Sequence, residues 1–179
     1  MALSIRSHRP EDLEPLTALY NDFIRHTPIT FDLTPYTPEQ RRQSWFEHYG
    51  VTGRYRLLVA VLDGESVGYA TSSPFAAKAA YQTSVEVSVY LHPRAQGQGI
   101  GTRLYQTLFD QLQTEDVHQA YAGITVPNPA SIALHQKVGF RSVGVYREVG
   151  RKFDRYWDVE WWERAVKLAD TAAAPSELT

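Results

Sequence analysis

Apolar residues recur along this chain with two periods, and each period predicts one kind of element. Helical spacing predicts helices over 10–26, from 38 onward with Trp45 and Phe46 on the apolar side, over 101–113 and over 129–138. Strand patterns cover residues 4–7, 57–62, 67–72, 84–91, 120–126, 143–149 and 159–162. Residues 63–66, Asp-Gly-Glu-Ser, predict a hairpin turn between the second and third strands. Residues 27–36 and 73–81 predict loops.

The order of these elements predicts an α+β fold, because strands and helices mix without the strict βαβ alternation of a parallel sheet. We expect a mostly antiparallel central sheet flanked by helices. The length of 179 residues suits one domain, which we place at residues 1–166. The remaining residues, 167–179, are mostly small and polar and predict a flexible C-terminal tail.

Composition excludes several classes of function. The formal net charge of −2 argues against a dedicated nucleic-acid binder, which is usually basic. The chain has no cysteine, so disulfides, thiolate metal sites and a cysteine nucleophile are excluded. The six histidines lack a metal-binding spacing, and we expect no metal site. No apolar run suits a signal peptide or a membrane span, so we expect a cytoplasmic protein without membrane contacts.

The stretch Gln96-Gly97-Gln98-Gly99-Ile100-Gly101 precedes a predicted helix and is the first candidate for chemistry. A P-loop requires G-x-x-x-x-G-K-[ST], and no such string occurs. A dinucleotide-binding turn requires G-x-G-x-x-G, but Thr102 occupies the third glycine position. Two interpretations stay open. The backbone N–H groups of 97–102 bind a pyrophosphate at the helix N-terminus, or the glycines form a surface turn.

The surrounding residues carry a family resemblance. The strand 85–91, followed by His92-Pro93 and by 94–101, resembles the acetyl-CoA-binding motif of the GNAT N-acetyltransferase superfamily, Q/R-x-x-G-x-G/A. The block 128–140, which begins with Asn and ends in Gly-Phe, is similar to a second block of these enzymes. Within the superfamily the chain most resembles the phosphinothricin and methionine sulfoximine acetyltransferases, through Tyr20-Asn21, 30–32 and 148–153.

The resemblance implies a three-layer fold, acetyl-CoA as co-substrate, a small amino-acid-like amine as acceptor, and a homodimer. It also implies a bulged catalytic strand whose backbone donors, at 89–91, polarise the acetyl carbonyl. Asn128 would contact the pantetheine arm, and the same side chain can cap the following helix. The implied cofactor-binding residues are Val89, Tyr90, Leu91, Gln96, Gly97, Gln98, Gly99, Ile100, Gly101, Thr102, Asn128 and Ser131.

Two residues are candidates for catalysis. Glu86 lies on an otherwise uncharged strand that the resemblance places beside the acetyl group, and we expect it to be the general base. The alternative is a glutamate on the outer face of an alternating strand. His135 occupies the position where many superfamily members carry a tyrosine that protonates the departing thiolate, and histidine can exchange protons near neutral pH. The alternative is a histidine held for packing.

The resemblance also implies an acceptor site at Phe31, Lys78, Tyr81 and Ser88. Relatives usually carry arginines in the preceding loop, where this chain has Ala76 and Gln82, and only Lys78 remains as a cation. Lys78 can equally be a surface lysine. Two other functions stay open: acetylation of a protein N-terminus or lysine, and a non-catalytic CoA-binding module used for sensing.

Overall fold

The structure is a computed structural model that describes residues 2–167. The predicted tail over 167–179 lies outside the described residues, apart from Lys167. The elements are β1 (Leu3–Ser7), α1 (Leu13–His26), α2 (Pro38–Ser44), β2 (Arg56–Leu62), β3 (Glu65–Pro74), β4 (Ser84–Leu91), α3 (Ile100–Leu112), β5 (Gln119–Val126), α4 (Pro129–Lys137), β6 (Arg141–Lys152) and β7 (Arg155–Ala165). Within the described part of the chain, no helix is long and apolar enough to cross a membrane.

The seven strands form one sheet in the order β1-β2-β3-β4-β5-β7-β6. Every neighbouring pair is antiparallel except β4 and β5, which run parallel. This arrangement confirms the predicted α+β class with a mixed, mostly antiparallel sheet.

Helices cover both faces of the sheet and give the fold three layers. On one face the buried side chains of α3 pack with those of β4 and β5. On the other face α1 packs on β2 and β3 together with Phe46. Side chains of β4 point alternately to the two faces of the sheet. Val85 and Val87 are buried toward α3, whereas Tyr90 packs with the α1 cluster. Because strand side chains alternate with a period of two, Glu86 and Ser88 share the α1 face with Tyr90.

The parallel pair β4–β5 separates soon after it begins. Only Ser84–Glu86 of β4 pair with Gln119–Tyr121 of β5. Beyond that point β4 continues beside β3, and β5 continues beside β7. The two strands therefore diverge and leave a gap in the middle of the sheet. The bulge expected in β4 was wrong, since β4 pairs with β3 in one unbroken register from Val85 to Leu91.

Some predicted boundaries were also wrong. Helix α2 ends at Ser44, and the backbone turns at Trp45 (φ −145°) into a short 3₁₀ turn that contains Phe46. Here aromatic packing overrides helix continuation, because the Trp45 ring lies against Tyr69 with 5.2 Å between centroids. The last two strands are longer than predicted, at Arg141–Lys152 and Arg155–Ala165.

Candidate active site

A groove of about 410 Å³ runs along the N-terminal end of α3 and one side of α4. Its floor includes Val89 and Leu91 at the end of β4. Most predicted cofactor-binding residues line it, namely Val89, Leu91, Gln96, Gly97, Gly99, Ile100, Gly101, Thr102, Asn128 and Ser131. Of the other two, Tyr90 lines an adjoining space and Gln98 does not line the groove.

The glycine loop exposes main-chain donors to this groove. Gly97 (φ 72°) and Gly99 (φ 75°) adopt the left-handed conformation, which side-chain-bearing residues adopt at a cost. Gly99 is the N-cap of α3 and supplies no side-chain cap, so the first N–H groups of this 13-residue helix lack a capping acceptor. The Gln98 side chain turns back to donate to the Arg94 carbonyl at 2.6 Å. The loop thus offers backbone N–H groups and a positive helix end, as an anion requires.

Gly101 serves a different purpose, which is close packing of α3 on α4. A Cβ atom added at Gly101 would lie 3.0 Å from Leu134 Cδ2 and 3.4 Å from Leu91 Cδ1. The residue therefore brings the helix end close to the groove floor. At the start of α4, Asn128 Oδ1 accepts a hydrogen bond from Ser131 N at 3.2 Å. This bond shows the cap, while the predicted pantetheine contact stays a prediction.

The gap between β4 and β5 forms a narrow passage of about 50 Å³. Val89, Asn128 and Ser131 line both the passage and the groove. Among residues 2–167, no strand pairs with β4 on this side beyond Glu86. Since backbone N–H groups alternate in direction along a strand, some of those at 87–91 point into the passage. A carbonyl placed there would find main-chain hydrogen-bond donors.

On the α1 face the passage opens into a cavity of about 420 Å³. Ile29, Ser88 and Tyr90, with Gly123 and Thr125 of β5, line both spaces. The rest of the cavity wall comes from three sources: α1 and the loop after it, β4, and the β6–β7 pair. These residues are Tyr20, Thr30, Phe31, Glu86, Tyr146, Val149, Val159 and Trp161. Groove, passage and cavity are therefore neighbours, and each adjoining pair shares lining residues.

Glu86 is the only charged residue that lines the cavity within residues 2–167. Burial raises the pKa of its carboxyl group above the ordinary value of 4.5. The side chain therefore faces a sheltered space rather than bulk water. A carboxylate in this environment is a stronger base than an exposed one, and Glu86 lies two residues before Ser88, which lines the passage.

His135 is buried against the passage, with 3% of its surface exposed. Its Nδ1 atom lies 2.7 Å from the Ser131 carbonyl oxygen, and its Nε2 atom lies 3.0 Å from the Tyr105 hydroxyl. Burial lowers the pKa of the imidazole, although the hydrogen bond to Ser131 partly opposes this. Because a carbonyl only accepts, Nδ1 carries the proton of the neutral ring and Nε2 accepts from Tyr105. The packing interpretation describes this geometry, and the role of His135 as proton donor stays a prediction.

Tyr105 is a passage residue that the sequence analysis missed. Burial raises the pKa of its phenol far above the usual value, so the hydroxyl stays protonated. It is the hydroxyl that donates to His135, at the point where the passage meets α3. Its position within the predicted helix over 101–113 gave no local signal of a neighbouring passage.

A group of hydroxyls behind the cavity was also missed. Tyr20 and Thr30 share a hydrogen bond of 2.7 Å between Oη and Oγ1, and Tyr20 Oη also lies 2.7 Å from Asp32 Oδ2. Tyr36 donates to the same carboxylate oxygen at 3.2 Å. Burial raises the pKa of Tyr90 to about 12. These phenols are therefore neutral near pH 7. Tyr20, Thr30 and Asp32 belong to segments that carried the resemblance, but nothing in their spacing specified this contact.

Two of the predicted acceptor-binding residues do not line the cavity. Lys78 is exposed and precedes a 3₁₀ turn at Ala79–Tyr81. Tyr81 is 44% exposed, and its ring packs on Phe75 at 5.8 Å between centroids. Phe31 and Ser88 line the cavity as expected from their positions. No lysine or arginine lines it within the described residues, and the same residues contain no group of three or more acidic or histidine side chains that could hold a metal ion.

Comparison with known proteins agrees with this geometry. The sequence profile of the Acetyltransferase (GNAT) family matches residues 16–140. The chain is 59% identical to the phosphinothricin N-acetyltransferase of Streptomyces coelicolor, over 92% of this chain and 96% of that protein. It is 33% identical to the L-methionine sulfoximine/L-methionine sulfone acetyltransferase of Pseudomonas aeruginosa, over 98% and 100%. A solved phosphinothricin acetyltransferase from Sinorhizobium meliloti in complex with AcCoA superposes with a TM-score of 0.85 at 32% identity, covering 99% of this chain and 95% of that one.

Proposed function

The chain belongs to the acetyltransferase (GNAT) family and is an acetyl-CoA-dependent N-acetyltransferase, and we propose that its acceptor is a small amino acid or amino-acid analogue related to phosphinothricin or methionine sulfoximine. One observation carries the proposal. Within the described residues, a cavity lined by one carboxylate adjoins a passage, and the passage adjoins a groove at the N-terminus of α3. Two relatives are named as a phosphinothricin N-acetyltransferase and an L-methionine sulfoximine/L-methionine sulfone acetyltransferase, and these names specify acceptors of the proposed class.

In this proposal the groove holds acetyl-CoA. The pyrophosphate lies at the N–H groups of the glycine loop and of the first turn of α3. The pantetheine arm follows Asn128 and Ser131 toward the passage. The acetyl carbonyl then accepts hydrogen bonds from the free N–H groups of β4. Donors already fixed in position stabilise the negative charge that develops on this oxygen during attack.

The acceptor amine approaches from the cavity, and Glu86 takes its proton. The amine nitrogen attacks the thioester carbon, and the tetrahedral intermediate collapses by breaking the C–S bond. The thiolate departs toward the groove past Tyr105 and His135, where the neutral phenol can donate a hydrogen bond to sulfur. Because the chain has no cysteine, transfer is direct rather than through an acetyl-cysteine.

We also propose that the enzyme is a homodimer that pairs through β6. This strand is an edge of the sheet, and unpaired edges with exposed apolar side chains favour association. Val143, Val145, Tyr146 and Val149 are all between 41% and 60% exposed on this strand. Sedimentation would show a dimer, and Val145→Glu would shift it to the monomer. A monomeric wild type would contradict the pairing. Since acetyl-CoA is used inside cells, we propose a cytoplasmic location.

The experiment follows coenzyme A release from acetyl-CoA with a thiol reagent. Acceptors are phosphinothricin, methionine sulfoximine, methionine sulfone, common amino acids, a polyamine and a short peptide. A preference for the amino-acid analogues supports the proposal. A preference for the peptide would indicate a protein acetyltransferase, and the proposed acceptor would be wrong. Tight acetyl-CoA binding without release on any amine would indicate a binding module.

A further inference from the structure

The tip of the β6–β7 hairpin is bent toward the cavity. The register passes from Tyr146 opposite Val159 to Gly150 opposite Trp157. Three residues of β6, 147–149, therefore face one residue of β7. Glu148 adopts φ 50°, and its N–H donates to Asp158 Oδ1 at 2.7 Å. Such bulges bend a strand and redirect its side chains. Here the bend brings the end of β6 onto the loop segment Thr30–Phe31.

Gly150 makes the first contact between the end of β6 and the loop segment Thr30–Phe31. A Cβ atom built at Gly150 would lie 2.1 Å from Cε2, 2.3 Å from Cζ and 2.6 Å from Cδ2 of Phe31. The aromatic ring therefore rests directly on the glycine backbone. Since the φ angle of Gly150 is not among the positive ones, the requirement for glycine here comes from space and not from backbone conformation. Phe31 also lines the cavity.

Lys152 is the second contact. The residue is only 5% exposed, and its Nζ donates to the Thr30 carbonyl oxygen at 2.7 Å. The main chain at Lys152 is itself held, because Trp157 Nε1 donates to its carbonyl at 2.9 Å. On the opposite side, Thr30 Oγ1 is bound to Tyr20 Oη. Thr30 is therefore fixed from the hairpin and from α1 at once, and it lines the cavity together with Phe31.

We propose that Gly150 and Lys152 are positioning residues that fix the Thr30–Phe31 wall and so set the depth of the acceptor cavity. This inference rests on the proposed function, since it takes the cavity to be the acceptor site. Gly150 determines specificity: any side chain there displaces the Phe31 ring toward the cavity and excludes the longer acceptors. Lys152 holds the same wall by one buried hydrogen bond.

The test compares the wild type, Gly150→Ala, Phe31→Leu and the double variant. Acceptors are methionine sulfone as the long amine and alanine as the short one. For Gly150→Ala we expect KM for methionine sulfone to rise about tenfold or more, the range for one methylene group in a tight pocket. KM for acetyl-CoA should stay within about twofold, because neither Gly150 nor Phe31 lines the groove. In the double variant the smaller leucine side chain should bring KM for methionine sulfone most of the way back to the wild-type value.

Lys152 gives an independent test if the glycine variant folds poorly. Lys152→Met should raise the acceptor KM without changing KM for acetyl-CoA, and Lys152→Arg, which keeps a donor, should recover part of the loss. Lys167→Met, at an exposed lysine, is the matched control and should match the wild type. Phe31→Leu alone should shift preference toward the longer acceptor.

The inference is overturned if Gly150→Ala leaves the ratio of the two acceptor KM values unchanged, or if its effect adds to that of Phe31→Leu without recovery. It is equally overturned if Lys152→Met raises the KM values for acceptor and acetyl-CoA alike. Failure of the proposed function looks different, because the wild type would then release no coenzyme A with either amino acid. Thermal unfolding of each variant shows whether a raised KM comes from a displaced Thr30–Phe31 wall in a folded protein or from unfolding of the protein.

Discussion

Replacement of Glu86 by glutamine separates catalysis from stability, because the two should change in opposite directions. The substitution keeps the shape of the side chain and removes its ability to take a proton. General base catalysis typically contributes a factor of about 10² to 10⁴. We therefore expect Glu86→Gln to lower kcat at least a hundredfold while KM for acetyl-CoA stays near that of the wild type.

The stability of this variant follows from the raised pKa of Glu86. Burial raises this pKa because it disfavours the charged carboxylate in the folded state. Between the ordinary pKa near 4.5 and the raised value, the folded protein binds more protons than the unfolded chain. The free energy of unfolding of the wild type therefore falls as pH rises through this window, by about 1.4 kcal/mol for each pH unit that separates the two pKa values. Glutamine removes this loss, so the variant should be at least as stable as the wild type at pH 7.5.

Two measurements check the expectation, namely coenzyme A release and urea unfolding, each from pH 5 to pH 8. The control is Glu14→Gln, which changes an exposed carboxylate on α1. In the wild type, kcat/KM should rise with pH as Glu86 ionises, and the variant should lose this rise. A variant that keeps more than a tenth of kcat would refute the role as base. A clearly less stable variant would show that the carboxylate has a stabilising partner.

Three further predictions test other parts of the structure. Burial opposes the low pKa of Asp12, but hydrogen bonds from Arg6, Ser66 and the Arg9 backbone outweigh it. This stability is present above the ordinary pKa and is lost as pH falls through the lowered one, so urea unfolding at pH 7 should show Asp12→Asn less stable by about 3 kcal/mol. Gly99→Ala should cost about 1–2 kcal/mol of left-handed strain and raise KM for acetyl-CoA severalfold in the release assay. Because burial lowers the pKa of His135, the unfolded chain binds more protons below about pH 6.5; the wild type should lose stability there, and urea unfolding of His135→Gln should show a smaller loss.

The residues that line the groove could be predicted from the sequence, because their motif is local. The glycine loop, the start of α3 and the Asn128 cap each occupy one short stretch, and their spacing specifies the turn. The place of Glu86 beside the cavity was expected because the family resemblance singled out the one charge on this strand, and its role as base stays a prediction. The acceptor side was less predictable, since it is assembled from three distant segments. The contact of Lys152 with Thr30 joins residues 122 positions apart, and no local pattern indicates it.

The same reason explains the residues assigned wrongly or missed. Tyr105 lies in a predicted helix, but a helical position alone does not reveal that the side chain ends at a passage. Trp45 fitted the stripe of α2, yet the aromatic cluster around Tyr69 ends the helix before it. Lys78 was selected as the one cation near the expected site, and the exposed loop that carries it does not reach the cavity.

The divergence of β4 and β5 leaves an opening in the sheet, and in the function proposed above the two substrates occupy opposite sides of it. In that arrangement both substrates can be bound at once, so transfer passes through a ternary complex. Initial velocities should therefore give intersecting rather than parallel lines when both concentrations are varied. The acceptor side and the coenzyme side can also change independently of each other in evolution. Among the described residues only Ile29 lines all three spaces, so changes elsewhere in the acceptor compartment can alter selectivity while the coenzyme half stays intact.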